Sequence, residues 1–194
     1  MLLDYDFFKI GSQILPKQGR IIISEPFLSG NYFNRAIILL VEHSKDGAVG
    51  FILNKSVDFP IHEFLNEFPD FDSNVFIGGP VSTDVIYFIH TLGETLPGSI
   101  KVKDDLYWGG DLDELKSLIN SGEARRDQVR FFLGYSGWGK EQLEKEIAEN
   151  SWLVSETSVE SIMKSSENYW KECVSKLGGK YELWKNYPED PNWN

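Results

Sequence analysis

Cysteine occurs once, at Cys173, so no intramolecular disulfide can form and a secreted scaffold held together by bridges is excluded. Histidine is nearly as scarce. His43, His62 and His90 show no i, i+3 or i, i+4 pairing, so the chain offers no metal-ligand cluster, and neither a metal nor another cofactor is expected. Long apolar runs are missing too: the longest strictly apolar stretch covers residues 36–41, against the roughly 20 residues that a membrane-crossing helix needs. The stretch around Asp4, Asp6 and Lys9 lacks the basic-then-apolar order of an export signal. Together these absences predict a cytoplasmic protein with no membrane partner. Positive charge is the last shortage. Nineteen Lys and Arg against thirty Asp and Glu give a formal charge of −11, which opposes attraction to phosphate backbones and anionic lipid, so direct nucleic-acid binding is disfavoured. The tight basic group Arg125, Arg126 and Arg130 has no aromatic interleaving and reads as solvated or salt-bridged charge.

What remains is a chain of 194 residues, 41% hydrophobic, long enough for one sizeable core. Neither repeats nor Gly/Ser-rich linkers divide it, so residues 1–183 read as a single domain and 184–194 as a tail, poorly ordered or covering a partner. Short β-branched, apolar runs predict strands at 20–24, 36–42, 48–53, 74–77, 84–91 and 130–133. Ser44-Lys45-Asp46-Gly47 joins the second and third as a hairpin, because an Asp-Gly pair readily adopts positive φ. Apolar residues at three- and four-residue spacing predict a helix at 60–68, capped by Asp58 and ended by Pro69. A second at 112–120 is capped by Asp111 and stopped by Gly122. Further helices are expected from Lys140, with Leu143 and Ile147 facing inward, and at 158–165 and 167–177, the last closed by Gly178-Gly179. Cys173 falls on the apolar side of that last helix and reads as a core thiol. Sheet first and helices later argue an α+β fold. Between Glu141 and Glu172 stand eight Glu and three Lys, so much of the acidity reads as a solvated helical face.

Several motifs suggest chemistry and fall short of it. Gly134-Tyr135-Ser136-Gly137-Trp138-Gly139-Lys140 fits G-x-x-x-x-G-K between a predicted strand and a predicted helix. A phosphate loop needs a Ser or Thr after the lysine to hold Mg²⁺, and residue 141 is Glu, whose charge would face the phosphates. The segment therefore reads as a glycine-permitted turn anchored by Trp138, with amides that could bind a small anion at the helix start. The same residues begin like G-x-S-x-G, with the final glycine one place late, and Ser136 has no assured base. Gly78-Gly79-Pro80-Val81 must make a sharp turn.

Ordered motifs carry a broader likeness. Gly19-Arg20-Ile21-Ile22-Ile23-Ser24-Glu25-Pro26 is followed by Phe33-Asn34-Arg35, Glu42-His43 and Gly47-Ala48-Val49-Gly50-Phe51-Ile52-Leu53-Asn54-Lys55. Then come Gly78-Gly79-Pro80-Val81, Gly134 to Trp138, Gln142-Leu143-Glu144-Lys145-Glu146 and Asn150-Ser151-Trp152. In this order, over residues 11–177, the chain resembles the AlgH/YqgE family of bacterial proteins, whose activity is unsettled. The resemblance implies a single α+β domain with a mixed, largely antiparallel, curved or partly barrel-like sheet and flanking helices. Some members carry a transcriptional-regulator label, which the acidic charge and the lack of a helix-turn-helix signature do not support.

The expected role is that of a non-enzymatic binding or regulatory protein. Its predicted surface gathers Phe33, Arg35, His43, Asn54, Gly78, Gly79, Pro80, Tyr135, Gly137 and Trp138, and its partner is a protein or a small anionic ligand. A homodimer is compatible with the apolar motif residues. The rival expectation is an enzyme in which Arg35 clamps an anion, Asn54 orients the substrate and His43 is the catalytic acid or base.

Overall fold

Among the described residues ten strands form around the apolar blocks of the sequence: β1 (Ile21–Ser24), β2 (Ile37–Ser44), β3 (Gly47–Ile52), β4 (Ser56–Pro60), β5 (Asn74–Ile77), β6 (Val81–His90), β7 (Ile100–Lys103), β8 (Leu106–Trp108), β9 (Val129–Gly139) and β10 (Trp152–Ser155). Five α-helices accompany them: α1 (Ile61–Phe64), α2 (Leu112–Asn120), α3 (Gln142–Ala148), α4 (Val159–Met163) and α5 (Tyr169–Leu177), with a 3₁₀ helix at Gly179–Asn186. The computed structural model describes residues 14–188 apart from Ser29 and Asn66.

The strands join in one sheet of order β10-β1-β2-β3-β9-β6-β8-β7, with β4 and β5 branching from β9. Every pairing among the described residues is antiparallel except β5 with β9. The sheet curls without closing its ladder. Side chains join β7 to the segments flanking β1 and β10: Gln18 Nε2, ahead of β1, donates to the carbonyls of Lys101 and Val102 at 2.8 and 3.1 Å, and Lys103 Nζ donates to the carbonyl of Thr157, just past β10, at 2.8 Å.

Both faces of the sheet are covered, which explains why Ile21–Ile23 of β1 and Ile37–Val41 of β2 are unbroken apolar runs instead of alternating ones. On the concave face, Ile21, Ile23, Leu39, Phe51 and Phe132 pack against Ile162, Trp170 and Val174 of α4 and α5. On the convex face α3 covers one half, where Ile22, Ile38 and Ile52 meet Leu143, and α1 and α2 cover the other, where Phe88 and Phe131 meet Ile61, Leu115 and Leu118. Each such side chain, wholly removed from water, contributes about 1.5–3 kcal/mol of transfer free energy. The outcome is one α+β domain with a large, mainly antiparallel, open sheet.

Several expectations need correction. The helix at 60–68 is only Ile61–Phe64: its N-cap position is Pro60, Asp58 lies within β4, and Leu65 is already extended (φ −118°, ψ 116°). The chain leaves the helix early so that Phe68 and Phe71 can both meet Phe131 edge-on, at 5.6 and 6.2 Å. The tail-ward helices are shorter than expected, at Val159–Met163 and Tyr169–Leu177, whereas α2 matches its predicted span and Asp111 accepts from the amides of Asp113 and Glu114.

The largest correction concerns Gly134 to Gly139, which is no turn and no phosphate loop but the second half of β9, paired through Ser136–Gly139 with Gly47–Gly50 of β3. Gly134 sits at φ 65° in mid-strand, where the register with β6 shifts between Val81 and Ile86. A side chain there would lie 2.6 Å from the Val81 carbonyl oxygen and 2.8 Å from that of Gly79, so glycine permits both the left-handed backbone and the close approach.

Candidate functional site

Three residues on the approach to β2 and the exit from β3, Arg35, Asn54 and Lys55, build a polar concavity. Asn54, buried, accepts from the Ile37 amide through Oδ1 at 2.8 Å and donates from Nδ2 to the Arg35 carbonyl at 2.9 Å. This pair of hydrogen bonds holds Arg35 in a left-handed conformation, φ 50°, which for a side-chain-bearing residue costs about 1–2 kcal/mol. Its guanidinium then lies over the Trp170 ring, 5.2 Å from the centroid. Lys55 Nζ donates to the Asn31 carbonyl at 3.0 Å, and burial holds its pKa below the usual lysine value. These groups, with Asn34, Glu167, Asn168 and Lys171, line a cleft of about 390 Å³.

The chain's own carboxy-terminal segment closes one side of the guanidinium. Arg35 Nη2 donates to the carbonyls of Tyr187 and Pro188 at 2.5 and 2.9 Å, while Tyr187 stacks on Phe27 at 5.4 Å and Trp184 on Trp170 at 6.4 Å. Residues 184–188 of the predicted tail thus pack on the domain, and 189–194 lie outside the described residues.

The other expected site residues lie elsewhere. Phe33 meets Trp152 edge-on at 5.6 Å, and Trp152 meets Trp138 at 6.1 Å, all within the cluster beneath α3. Gly78 and Gly79 are buried against β9: a side chain on Gly78 would lie 2.1 Å from the Gly134 carbonyl oxygen, and the Gly78 amide and carbonyl are bonded to Leu133 and Ile52. Pro80 and Gly137 are exposed, Tyr135 is half-buried against Tyr87, and buried Ser136 donates to the Gly78 carbonyl. His43 Nε2 sits 2.8 Å from Glu144 Oε1 of α3. Arg35 precedes β2 and His43 lies near its far end, six strand steps from Ile37 or about 20 Å away, so one small substrate does not touch both.

Two residues carry more than the sequence suggested. His90 is wholly buried: Nδ1 accepts from the Leu92 amide at 3.2 Å, and Nε2 lies 3.1 Å from the Gly109 carbonyl. Burial lowers its pKa to about 4 despite the Gly109 bond, so it stays neutral at pH 7. Arg130, expected to be solvated, is buried in β9 while its neighbours Arg125 and Arg126 pair on the surface with Asp127 and Asp72. The signal was a charged residue enclosed by Val129 and Phe131-Phe132-Leu133 in an apolar strand. Cys173 is a core thiol, as expected, and burial raises its pKa to about 11, which leaves it without thiolate reactivity. Among the described residues no group of three or more His, Cys, Asp or Glu is placed to hold a metal, and no helix is long and apolar enough to cross a membrane.

The open sheet, with helices on both faces and a polar cleft beside the start of β2, defines an α+β domain. A family model described as AlgH-like matches residues 21–182, and the chain belongs to that family. Relatives named UPF0301 protein include those of Parabacteroides distasonis, 44% identical over 97% of this chain and 98% of the relative, and of Bacteroides thetaiotaomicron, 41% identical over 100% of both. Among solved structures, the AlgH protein from Pseudomonas aeruginosa has a TM-score of 0.70 at 24% identity, covering 91% of this chain and 97% of that one. Protein DIP2367 from Corynebacterium diphtheriae has a TM-score of 0.75 at 20% identity, covering 96% and 100%. Both likenesses are of fold.

Proposed function

We propose that the protein acts by binding, in a regulatory and non-catalytic role, and that its ligand is a small anion held in the cleft of Arg35, Lys55 and Lys171. One observation carries this reading: three cations and a single acid, Glu167, line one polar concavity of a molecule whose net charge is −11. A half-buried ammonium of lowered pKa gains from an incoming negative charge, and a guanidinium held in place by an indole loses little entropy on binding one. The Asn54 amide is spent on backbone bonds, so its part is to position Arg35. Direct action on DNA is disfavoured by the same net charge.

The test is a titration of the isotope-labelled protein with inorganic phosphate, followed by amide and side-chain NMR. Shifts should concentrate at Asn34, Lys55 and Lys171, and Lys55→Ala should weaken binding about fivefold, the loss of roughly one charge-assisted contact. Absence of shifts there, or binding indifferent to Lys55→Ala and Lys171→Ala together, overturns the reading.

A further inference from the structure

Arg130 brings a positive charge into the interior without a carboxylate to meet it. Nη1 donates to the carbonyls of Ile162 at 2.7 Å and Ser165 at 2.9 Å and to Ser165 Oγ at 2.5 Å, with the Met163 carbonyl at 3.3 Å. Nη2 donates to the Leu53 carbonyl at 2.9 Å, and the guanidinium carbon stands 4.0 Å above the centre of the Phe76 ring. Nη1 therefore has four acceptors for two hydrogens, whereas Nε is buried with no hydrogen-bond partner. Ser165 Oγ lies 3.4 Å from the Leu53 oxygen, so these acceptors crowd the end of the fork where Nη1 and Nη2 are neighbours. The side of the fork formed by Nε and Nη2 is left with donors to spare.

A guanidinium grips a carboxylate by two parallel N–H bonds, and the Nε–Nη2 side is one of the two edges that can do so. An orphaned buried donor and an uncompensated buried charge each cost free energy that such a ligand would recover. Arg130 lines a second cleft of about 390 Å³, with Phe76 and Met163 as apolar wall and Ser73, Asn74 and Lys164 among its polar groups. Its two acids are committed: Asp72 to Arg126 at 2.6 Å and Asp127 to Arg125 at 3.1 Å.

We infer that this cleft, between β5, β9 and the end of α4, is a binding site for a small monoanionic carboxylate, gripped by the Nε–Nη2 side of Arg130 and flanked by the Phe76 ring. A carboxylate suits it better than a phosphate dianion, because one fixed charge is waiting and the surrounding ion pairs are neutral in sum. Met163 and Lys164, half-buried and exposed, are the side chains that shift to admit it.

The experiment is a titration with acetate, and separately with inorganic phosphate and with chloride at equal ionic strength. It is read by the Met163 methyl signal, the Phe76 ring protons and the Arg130 Nε–H resonance. Acetate should move all three and phosphate should move them less, while chloride leaves them unchanged. Lys164→Glu, a surface change that keeps the fold, should weaken the acetate effect about fivefold by setting a like charge at the mouth. Arg130→Met should abolish it, provided that the spectrum remains dispersed. No movement of these three signals in the folded wild-type protein at tens of millimolar acetate overturns the inference, as does movement unaltered by Lys164→Glu. Signals of Asn34 and Lys55 report the Arg35 cleft in the same spectra, so the two sites succeed or fail separately.

Discussion

Trp138 and Trp152 cross edge to face at 84° and donate from their indole nitrogens to the same oxygen, Oε2 of Glu146, at 2.9 and 2.8 Å. Three separate sequence motifs thus meet at one carboxylate, whose other oxygen accepts from Gln142 at 2.9 Å. The role of Trp138, Glu146 and Trp152 is architectural: they pin α3 to β9 and β10.

Replacing Glu146 with Leu should leave two buried indole N–H groups without acceptors, at about 1–3 kcal/mol each, less whatever water recovers. Glu146→Leu is expected to lose about 2–4 kcal/mol in urea unfolding, and Glu146→Gln, which keeps one acceptor oxygen, less than half of that. Equal losses for both variants would mean that charge and not acceptance holds the indoles.

His90 supplies a pH dependence. Its Nδ1 faces the Leu92 amide proton, so protonation there sets donor against donor inside the core. The folded pKa, about 4, lies below the ordinary 6.5, so between those values the unfolded chain binds the extra proton. Stability from this group is complete above pH 6.5 and declines as pH falls towards 4, by at most about 3 kcal/mol. Urea midpoints at about pH 7 and 4.5 should therefore converge for wild type and His90→Gln, because the variant lacks this loss. Parallel curves would remove His90 as the cause.

Gly134→Ala tests the close approach of β9 to the start of β6. It combines a left-handed backbone, φ 65°, with a methyl 2.6 Å from the Val81 oxygen, and should lower stability by about 2 kcal/mol or more. Thermal unfolding measures it. A neutral result would place the freedom of the chain elsewhere in the bulge.

Ending the chain after Asn186 removes the two carbonyls that Arg35 Nη2 serves and uncovers Phe27. Phosphate affinity at the Arg35 cleft should rise about fivefold, the worth of roughly one hydrogen bond released from internal competition. Unchanged affinity would show that the segment packs without obstructing.

The apolar blocks at β1 and the first half of β2 were legible because burial on both faces writes a strand as a continuous apolar run. The second half of β9 was not, because Gly134, Gly137 and Gly139 spell a loop locally and only pairing with β3 makes a strand of them. Ile100-Lys101-Val102-Lys103 does alternate and Leu106-Tyr107-Trp108 is apolar throughout, yet the hairpin turns at Asp104, φ 44°, without the glycine that flags such turns. Of the expected surface, Arg35 and Asn54 share a cleft and the remainder is scattered between buried packing, exposed backbone and the His43–Glu144 pair, since sequence order says nothing of which sheet face a motif meets. Arg130 was misread because a cluster of arginines looks alike on paper whether its members point to water or to the core.

The side-chain seam formed by Gln18 and Lys103 has a further consequence. A ladder that stops short of closure leaves unpaired strand edges, the usual starting point for one sheet growing onto another. Here the carbonyls of Lys101, Val102 and Thr157 are occupied by an amide and an ammonium of the same chain, which cannot propagate a ladder. Removing Gln18 and Lys103 is therefore expected to open that part of the rim to edge-to-edge pairing, seen as lowered solubility before any loss of the fold.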